Sequence, residues 1–350
     1  MDSFFPVRDF KRILFFASFV LFVVKYPFVC SSMILVCFTV MNFKRRTCMG
    51  DLRKPDMPAW IEDMLPAGIH RKVVDVHGQL MHVMEWGGGM PVLMLHGNPT
   101  WGFLYRKIVY LLRDMPLHCI VPDLIGLGFS SKPRSMNDHS LINHASWLGS
   151  FIDSLGLEGM ILVCQDWGGP IGVRTFADRP HLLKGLVVLN TALRPPHQGF
   201  RPTLFHRFSN LPFISDFVFR LLGFPQNVLH KIQGDPSSIQ GKVAQAYRYP
   251  LRHISDRIAP LALARMVPSS LTHPSIKELK VCEEFIRTFQ GPSAIVWGEK
   301  DPILGRALRR MRELMPDASV QRTKAGHFIQ EEEPDAIAQV IREVYKYSKT

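Results

Sequence analysis

Cysteine is scarce: six occur in 350 residues, with no C-x-x-C pair and no histidine partner at metal-ligand spacing. That scarcity excludes a disulfide scaffold and a zinc-built fold, and the six read as small buried hydrophobes. Internal repeats and low-complexity tracts are also missing. Acid is in deficit, with 30 Asp/Glu against 42 Lys/Arg and a formal net charge of +12. The surplus is uneven. Residues 1–56 hold nine basic against four acidic residues, a local +5, so the other 294 residues carry +7 with no run of five or six basic residues. No nucleic-acid partner is expected from that pattern, although weak attraction to anionic surfaces or substrates is compatible with it. At 47% hydrophobic and 21% charged the chain has the composition of an ordinary folding protein, enough for one large domain or two small ones.

The first 56 residues stand apart. Between Ile13 and Phe43 the only charge is Lys25, which leaves the 18 residues Tyr26 to Phe43 at the lower limit for a membrane helix. Basic residues flank the stretch on both sides, and no A-x-A-like cleavage site closes it. The readings are a membrane anchor, a removed segment, or a mis-assigned start with translation beginning at Met41 or Met49. The chain would accordingly be cytoplasmic or membrane-associated through this segment.

From Met57 onward, strand-like and helix-like segments alternate. VVDVH (73–77) and LMHVMEW (80–86) flank a turn at Gly78 and read as a hairpin. PVLML (91–95), HCIVPD (118–123), MILVC (160–164), LVVLN (186–190) and AIVW (294–297) are short apolar runs, and a last strand is expected at 319–322. Amphipathic stretches lie between them at 105–113, 142–155 and 172–178. Strands apolar on both faces and separated by helices indicate a mostly parallel sheet in an α/β fold, with the site at the carboxyl ends of the strands. Residues 191–274 carry no convincing strand but several aromatic, helix-like pieces. They are expected to form a helical cap inserted into a core made of 57–190 and 275–350.

CQDWGG (164–169), directly after MILVC, has small residues two before and two after Asp166, as a sharp strand-turn-helix elbow requires. A carboxylate presented there is a nucleophile that attacks carbon and leaves an ester. An Asp before a helix can also merely cap it. HGNPTW (96–101) ends another strand, where a backbone N–H of an oxyanion hole is expected from Asn98, with the N–H of Trp167 as the second donor. The Asn98 amide and the Trp167 indole add two neutral side-chain donors beside the carboxylate, which suits a leaving group departing as a bare anion. His327, in AGHF (325–328), stands on a loop near the sheet edge behind Ala-Gly and supplies a general base. Asp301, in WGEKDP (297–302), is the favoured acid to orient it, with Glu299 as competitor. Asn190, at the end of LVVLN, cannot supply that charge, and Asp123 is expected to hold its Gly-rich loop by hydrogen bonds.

Taken together, HGNPTWGFLYR (96–106), PDLIGLGFSSKP (122–133), CQDWGGPIG (164–172), WGEKDPILG (297–305) and AGHFIQEEEP (325–334) resemble a haloalkane dehalogenase of the α/β-hydrolase fold, in that family's order from about Met57 to Tyr347. The resemblance implies Asp166 as nucleophile, His327 as base, Asp301 as acid, and Asn98 with Trp167 as halide binders. The implied substrates are a small halogenated alkane and water, with no metal or organic cofactor. Relatives combining a late Asp with an Asn/Trp pair tend to self-associate, so a homo-oligomer is expected. An epoxide hydrolase of the same fold is the nearest rival, and it would need lid tyrosines such as Tyr247 and Tyr249 as acids. A second rival is an inactive binding protein that keeps the fold, although every catalytic residue is in place.

Overall fold

The computed structural model describes residues 54–348. The apolar N-terminal stretch, with Cys30, Cys37 and Cys48, lies outside the described residues. Among the described residues no helix is long and apolar enough to cross a membrane. Cys119, Cys164 and Cys282 are free and buried, as expected of small hydrophobes.

The hairpin and the short apolar runs build one eight-stranded sheet: β1 (His70–Val76), β2 (Gln79–Gly87), β3 (Met90–Leu95), β4 (Leu117–Pro122), β5 (Met160–Gln165), β6 (Leu183–Leu189), β7 (Ser293–Gly298) and β8 (Ser319–Thr323). Their spatial order is β1-β2-β4-β3-β5-β6-β7-β8. The β1/β2 hairpin and the β2/β4 pair are antiparallel; from β4 to β8 every neighbour is parallel. In β5 the side chains of Met160, Leu162 and Cys164 enter the apolar layer on one side of the sheet, and those of Ile161 and Val163 enter the layer on the other. Each such aliphatic side chain contributes about 1.5–3 kcal/mol when fully buried, which is why this strand carries no polar residue before Gln165.

Helices cover both faces. On one, α2 (Leu141–Leu155) packs on α3 (Gly168–Ala177). Helix α2 starts where Ser140 Oγ accepts from Asn143 N–H at 3.2 Å and stops where Gly156 adopts φ +60°. On the other face, α1 (Arg106–Leu111) meets the C-terminal helix, which buries Ile337, Ala338, Ile341, Val344 and Tyr345 in a helical stripe. Two helices differ from the sequence expectation at their starts. Helix α3 begins at Gly168 rather than near Pro170, because the elbow turns within a single residue. The helix expected from Tyr105 is preceded by a 3₁₀ turn over Gly102–Tyr105.

The chain leaves the sheet at Leu189 and returns at Ser293; among the described residues no strand lies between. This stretch contains α4 (Leu204–Ser209), α5 (Gly241–Arg248) and α6 (Ile258–Met266), followed by α7 (Ser275–Thr288), which packs against α3. Phe208, Phe219 and Phe224 form an aromatic cluster with ring centroids 5.0–6.1 Å apart, so Phe208 and Phe219 serve the packing of this segment itself. The segment is bonded to the strand ends at several points. Trp101 Nε1 donates to Ala246 O at 3.0 Å, Asn98 Nδ2 to Pro260 O at 2.9 Å, and His327 N–H to Ile232 O at 2.9 Å.

Candidate active site

Asp166 sits one residue beyond β5 at φ +48°, the left-handed region that a non-glycine residue adopts only when its surroundings impose it. The surroundings do. Its N–H donates to Asn190 O at 3.1 Å, and its carbonyl accepts from Gly169 N–H at 3.1 Å and Thr191 Oγ1 at 2.5 Å. A Cβ at Gly168 would lie 2.3 Å from Leu95 O, so only glycine allows α3 to start this close to β3. The result is a carboxylate lifted off the sheet with a side chain that is 16% exposed.

Two of the sequence-predicted residues face this carboxylate directly, a third stands behind one of them, and a fourth is its chain neighbour. Asn98 N–H donates to Asp166 Oδ1 at 2.8 Å. On the other oxygen, Oδ2, His327 Nε2 lies at 3.6 Å. His327 Nδ1 in turn is 2.9 Å from Asp301 Oδ2. Trp167 is buried beside Asp166 at the start of α3. One hydrogen of the Asn98 amide is taken by Pro260 O, which leaves the other to the site. Glu299, the competitor acid, faces outward and pairs with Arg322.

Burial and charge oppose each other at His327. Burial alone would push the imidazole down, but the Asp301 charge, the facing Asp166 carboxylate and the hydrogen bond to Asp301 together push it up to about 10. Asp301 is held below the usual carboxylate range. Burial opposes this, and the His327 charge and hydrogen bond, the Asn190 amide and the Ile303 N–H outweigh it. Asp166 and Asp301 thus flank one imidazole from its two nitrogens, a carboxylate–imidazole–carboxylate relay.

Sequence reasoning gave Asn190 no role. In the structure its amide donates to Asp301 Oδ2 at 2.8 Å and to Gly298 O at 3.1 Å, and its Oδ1 accepts from Gly298 N–H at 2.7 Å. A side chain with both donor and acceptor is what that spot between β6 and β7 requires, which a residue-type argument about charge overlooks. Gln165 was likewise passed over: it is fully buried, with Nε2 3.3 Å from His327 Nε2 and 3.2 Å from His327 O. Two glutamates of the tract after His327 also hold the site together. Glu331 takes a bidentate bond from Arg106 (2.6 and 3.0 Å) and one from Tyr247 OH (2.5 Å). Glu332 accepts from Gly326 N–H and Gly234 N–H. Asp123 holds the Gly-rich loop as expected, taking bonds from Gly102 N–H and Phe129 N–H at 2.7 Å. Neutral His96, pushed down by burial, ties the Asn98 loop to Leu124 N–H. Among the described residues no three His, Cys, Asp or Glu side chains are grouped to hold a metal ion.

Sheet order, elbow and relay together define a hydrolase of the α/β type, and the chain matches the family described as alpha/beta hydrolase fold over residues 90–334. A haloalkane dehalogenase of Mycolicibacterium paratuberculosis is 32% identical over 266 residues, covering 75% of this chain and 86% of that protein. The crystal structure of haloalkane dehalogenase DbeA from Bradyrhizobium elkani is 26% identical with a TM-score of 0.72, covering 80% of this chain and 99% of that one. The tetrameric haloalkane dehalogenase DpaA from Paraglaciecola agarilytica is 25% identical with a TM-score of 0.69, covering 81% and 96%. This chain belongs to the haloalkane dehalogenases, hydrolases that act on carbon–halogen bonds.

Proposed function

We propose that the protein hydrolyses haloalkanes to alcohol, halide and proton through a covalent alkyl ester on Asp166. The observation that carries this reading is the division of labour between the two Asp166 oxygens. Oδ1 already accepts the Asn98 N–H, whereas Oδ2 has no N–H donor and faces His327 Nε2. Oδ2 displaces halide from an sp³ carbon, forming the C–O bond as the carbon–halogen bond breaks. The free amide hydrogen of Asn98 and the indole N–H of Trp167 stabilise the departing anion. Oδ1 becomes the ester carbonyl oxygen, held where negative charge develops when water attacks. His327 takes a proton from that water, and Asp301 fixes the Nδ1–H tautomer and stabilises the imidazolium. The ester then breaks to alcohol and the Asp166 carboxylate. All of these groups are on the chain, so the reaction calls for no cofactor.

Residues 191–274 act as the cap over the site, with the carbonyl of Pro260 orienting the Asn98 amide. The epoxide hydrolase alternative needs a free tyrosine acid, and the geometry disfavours it: the Tyr247 hydroxyl is bonded to buried Glu331, and the Tyr249 ring lies against Trp60 and Arg252. The tetrameric relative supports self-association of this chain too, checked by light scattering on the eluting peak. The reaction is tested by halide and proton release from 1-bromobutane and 1,2-dibromoethane, with Asp166→Asn as control. Release that disappears in the control supports the proposal. Silence on both substrates with turnover of styrene oxide would transfer the reading to the epoxide hydrolase.

A further inference from the structure

Gln165 is the residue just before the nucleophile, fully buried, and its amide is oriented by the main chain. Nε2 donates to His327 O at 3.2 Å, and that carbonyl can only accept, so the NH₂ end is the one that faces the imidazole. The same nitrogen is 3.3 Å from His327 Nε2. The other end of the amide, Oε1, is buried without a partner among the described residues, an arrangement that is costly unless it serves the site.

We propose that Gln165 is a positioning residue for the second half-reaction: its amide donates to the Nε2 lone pair of His327 and keeps the imidazole neutral and aimed once Asp166 is esterified. This rests on the reading of Asp166 as nucleophile and His327 as base. The groups facing His327 are few. Asp301 lies on the Nδ1 side and Asp166 on the Nε2 side, the Phe328 ring is at 4.8 Å, and Ile232 O accepts its main-chain N–H. In the resting enzyme the Asp166 charge stabilises a proton on Nε2, and a Gln165 donor beside that N–H is unfavourable. Esterification removes the Asp166 charge, which leaves the Gln165 donor as the polar neighbour of Nε2. A donor there is satisfied by the neutral ring and repelled by the imidazolium. Gln165 therefore opposes protonation at the stage when His327 must act as base, and acts through His327 without touching the alkyl group.

The test compares wild type, Gln165→Met and Gln165→Glu in rapid-quench experiments across pH, following formation and decay of the alkyl-enzyme mass with 1-bromobutane. Met keeps the length and removes the donor, so the acid limb of ester decay should rise by roughly one pH unit, the worth of one modest hydrogen bond. Glu should raise it further. Ester formation should change less than about twofold in Gln165→Met. An acid limb that stays in place in both variants, or formation and decay that slow in parallel, would overturn the proposal and leave Gln165 a packing residue. The absence of any alkyl-enzyme in wild type would instead refute the Asp166 reading beneath it. Gln165→Glu, the polar isostere, keeps the comparison informative if Gln165→Met folds poorly.

Discussion

In the proposed mechanism, esterification of Asp166 is itself the perturbation that sets His327 to work. In the free enzyme the two unit charges on Asp166 Oδ2 and His327 Nε2 are 3.6 Å apart. At an effective dielectric constant near 20 their attraction is about 5 kcal/mol, or roughly 3 pKa units. His327, pushed up to about 10, is protonated at pH 8. Once the ester forms, that attraction is gone and the hold of the imidazole on its proton falls back toward the ordinary histidine range. A raised histidine binds its proton below the folded value and releases it as that value falls below the ambient pH, so alkylation should expel close to one proton per site. Rapid mixing in weak buffer at pH 8 with an indicator dye, under single-turnover conditions, reads this directly. The proton burst should keep time with ester formation, and ester decay should release none, because His327 keeps the proton it takes from water. Proton release that waits for ester decay would refute the coupling between Asp166 and His327.

Other outcomes follow from the same contacts. Asn190→Ala strands the N–H and C=O of Gly298 and removes a donor from Asp301, so urea unfolding should show a loss of about 2–5 kcal/mol with slower ester decay. Glu331→Gln leaves buried Arg106 without its counter-charge and should cost about 3–5 kcal/mol by the same assay. Burial opposes the ionised form of Glu331, but Arg106, Lys107 and Tyr247 hold its carboxyl low. Its stabilisation is therefore present above the unfolded carboxylate value of about 4.3 and lost as pH falls through the lower folded value, and Glu331→Gln should flatten the acid-unfolding curve there. Gly326→Ala would put a Cβ 2.3 Å from Ile232 O and push the His327 loop away. Ester decay should then slow at least tenfold while ester formation persists, as read by rapid quench.

The strands were legible because buried parallel strands must be apolar on both faces, and the elbow because it needs small residues, as Gly168 against Leu95 O shows. The close approach read from Ala325-Gly326 is there, with Gly326 against the backbone of Ile232 and Gln233. Asp301 and His327, singled out from their places after β7 and β8, are brought within 2.9 Å of each other by the fold. What stayed hidden was the hydrogen-bonded support. Asn190 was judged on charge, when its contribution is an amide with donor and acceptor on opposite sides. Glu331 and Glu332 sat in an acidic tract that reads as solvated surface until Arg106 and the Gly326 N–H are brought to it by the fold. Gln165 lies in the motif but has no chemistry of its own, so only its distance to His327 gives it meaning. Tyr247 went the other way: a residue type suited to an acid in the cap proves to be bonded to Glu331.

The covalent step is tested most directly by removing the base and looking for the ester. His327→Phe in the full chain should still let Asp166 displace halide but not let water cleave the product. Mixing with 1-bromobutane, quenching and peptide mass mapping should show a butyl adduct on the peptide containing Asp166, with one halide released per site and no further turnover. Sustained halide release without an adduct, or an adduct elsewhere, would contradict the ester mechanism.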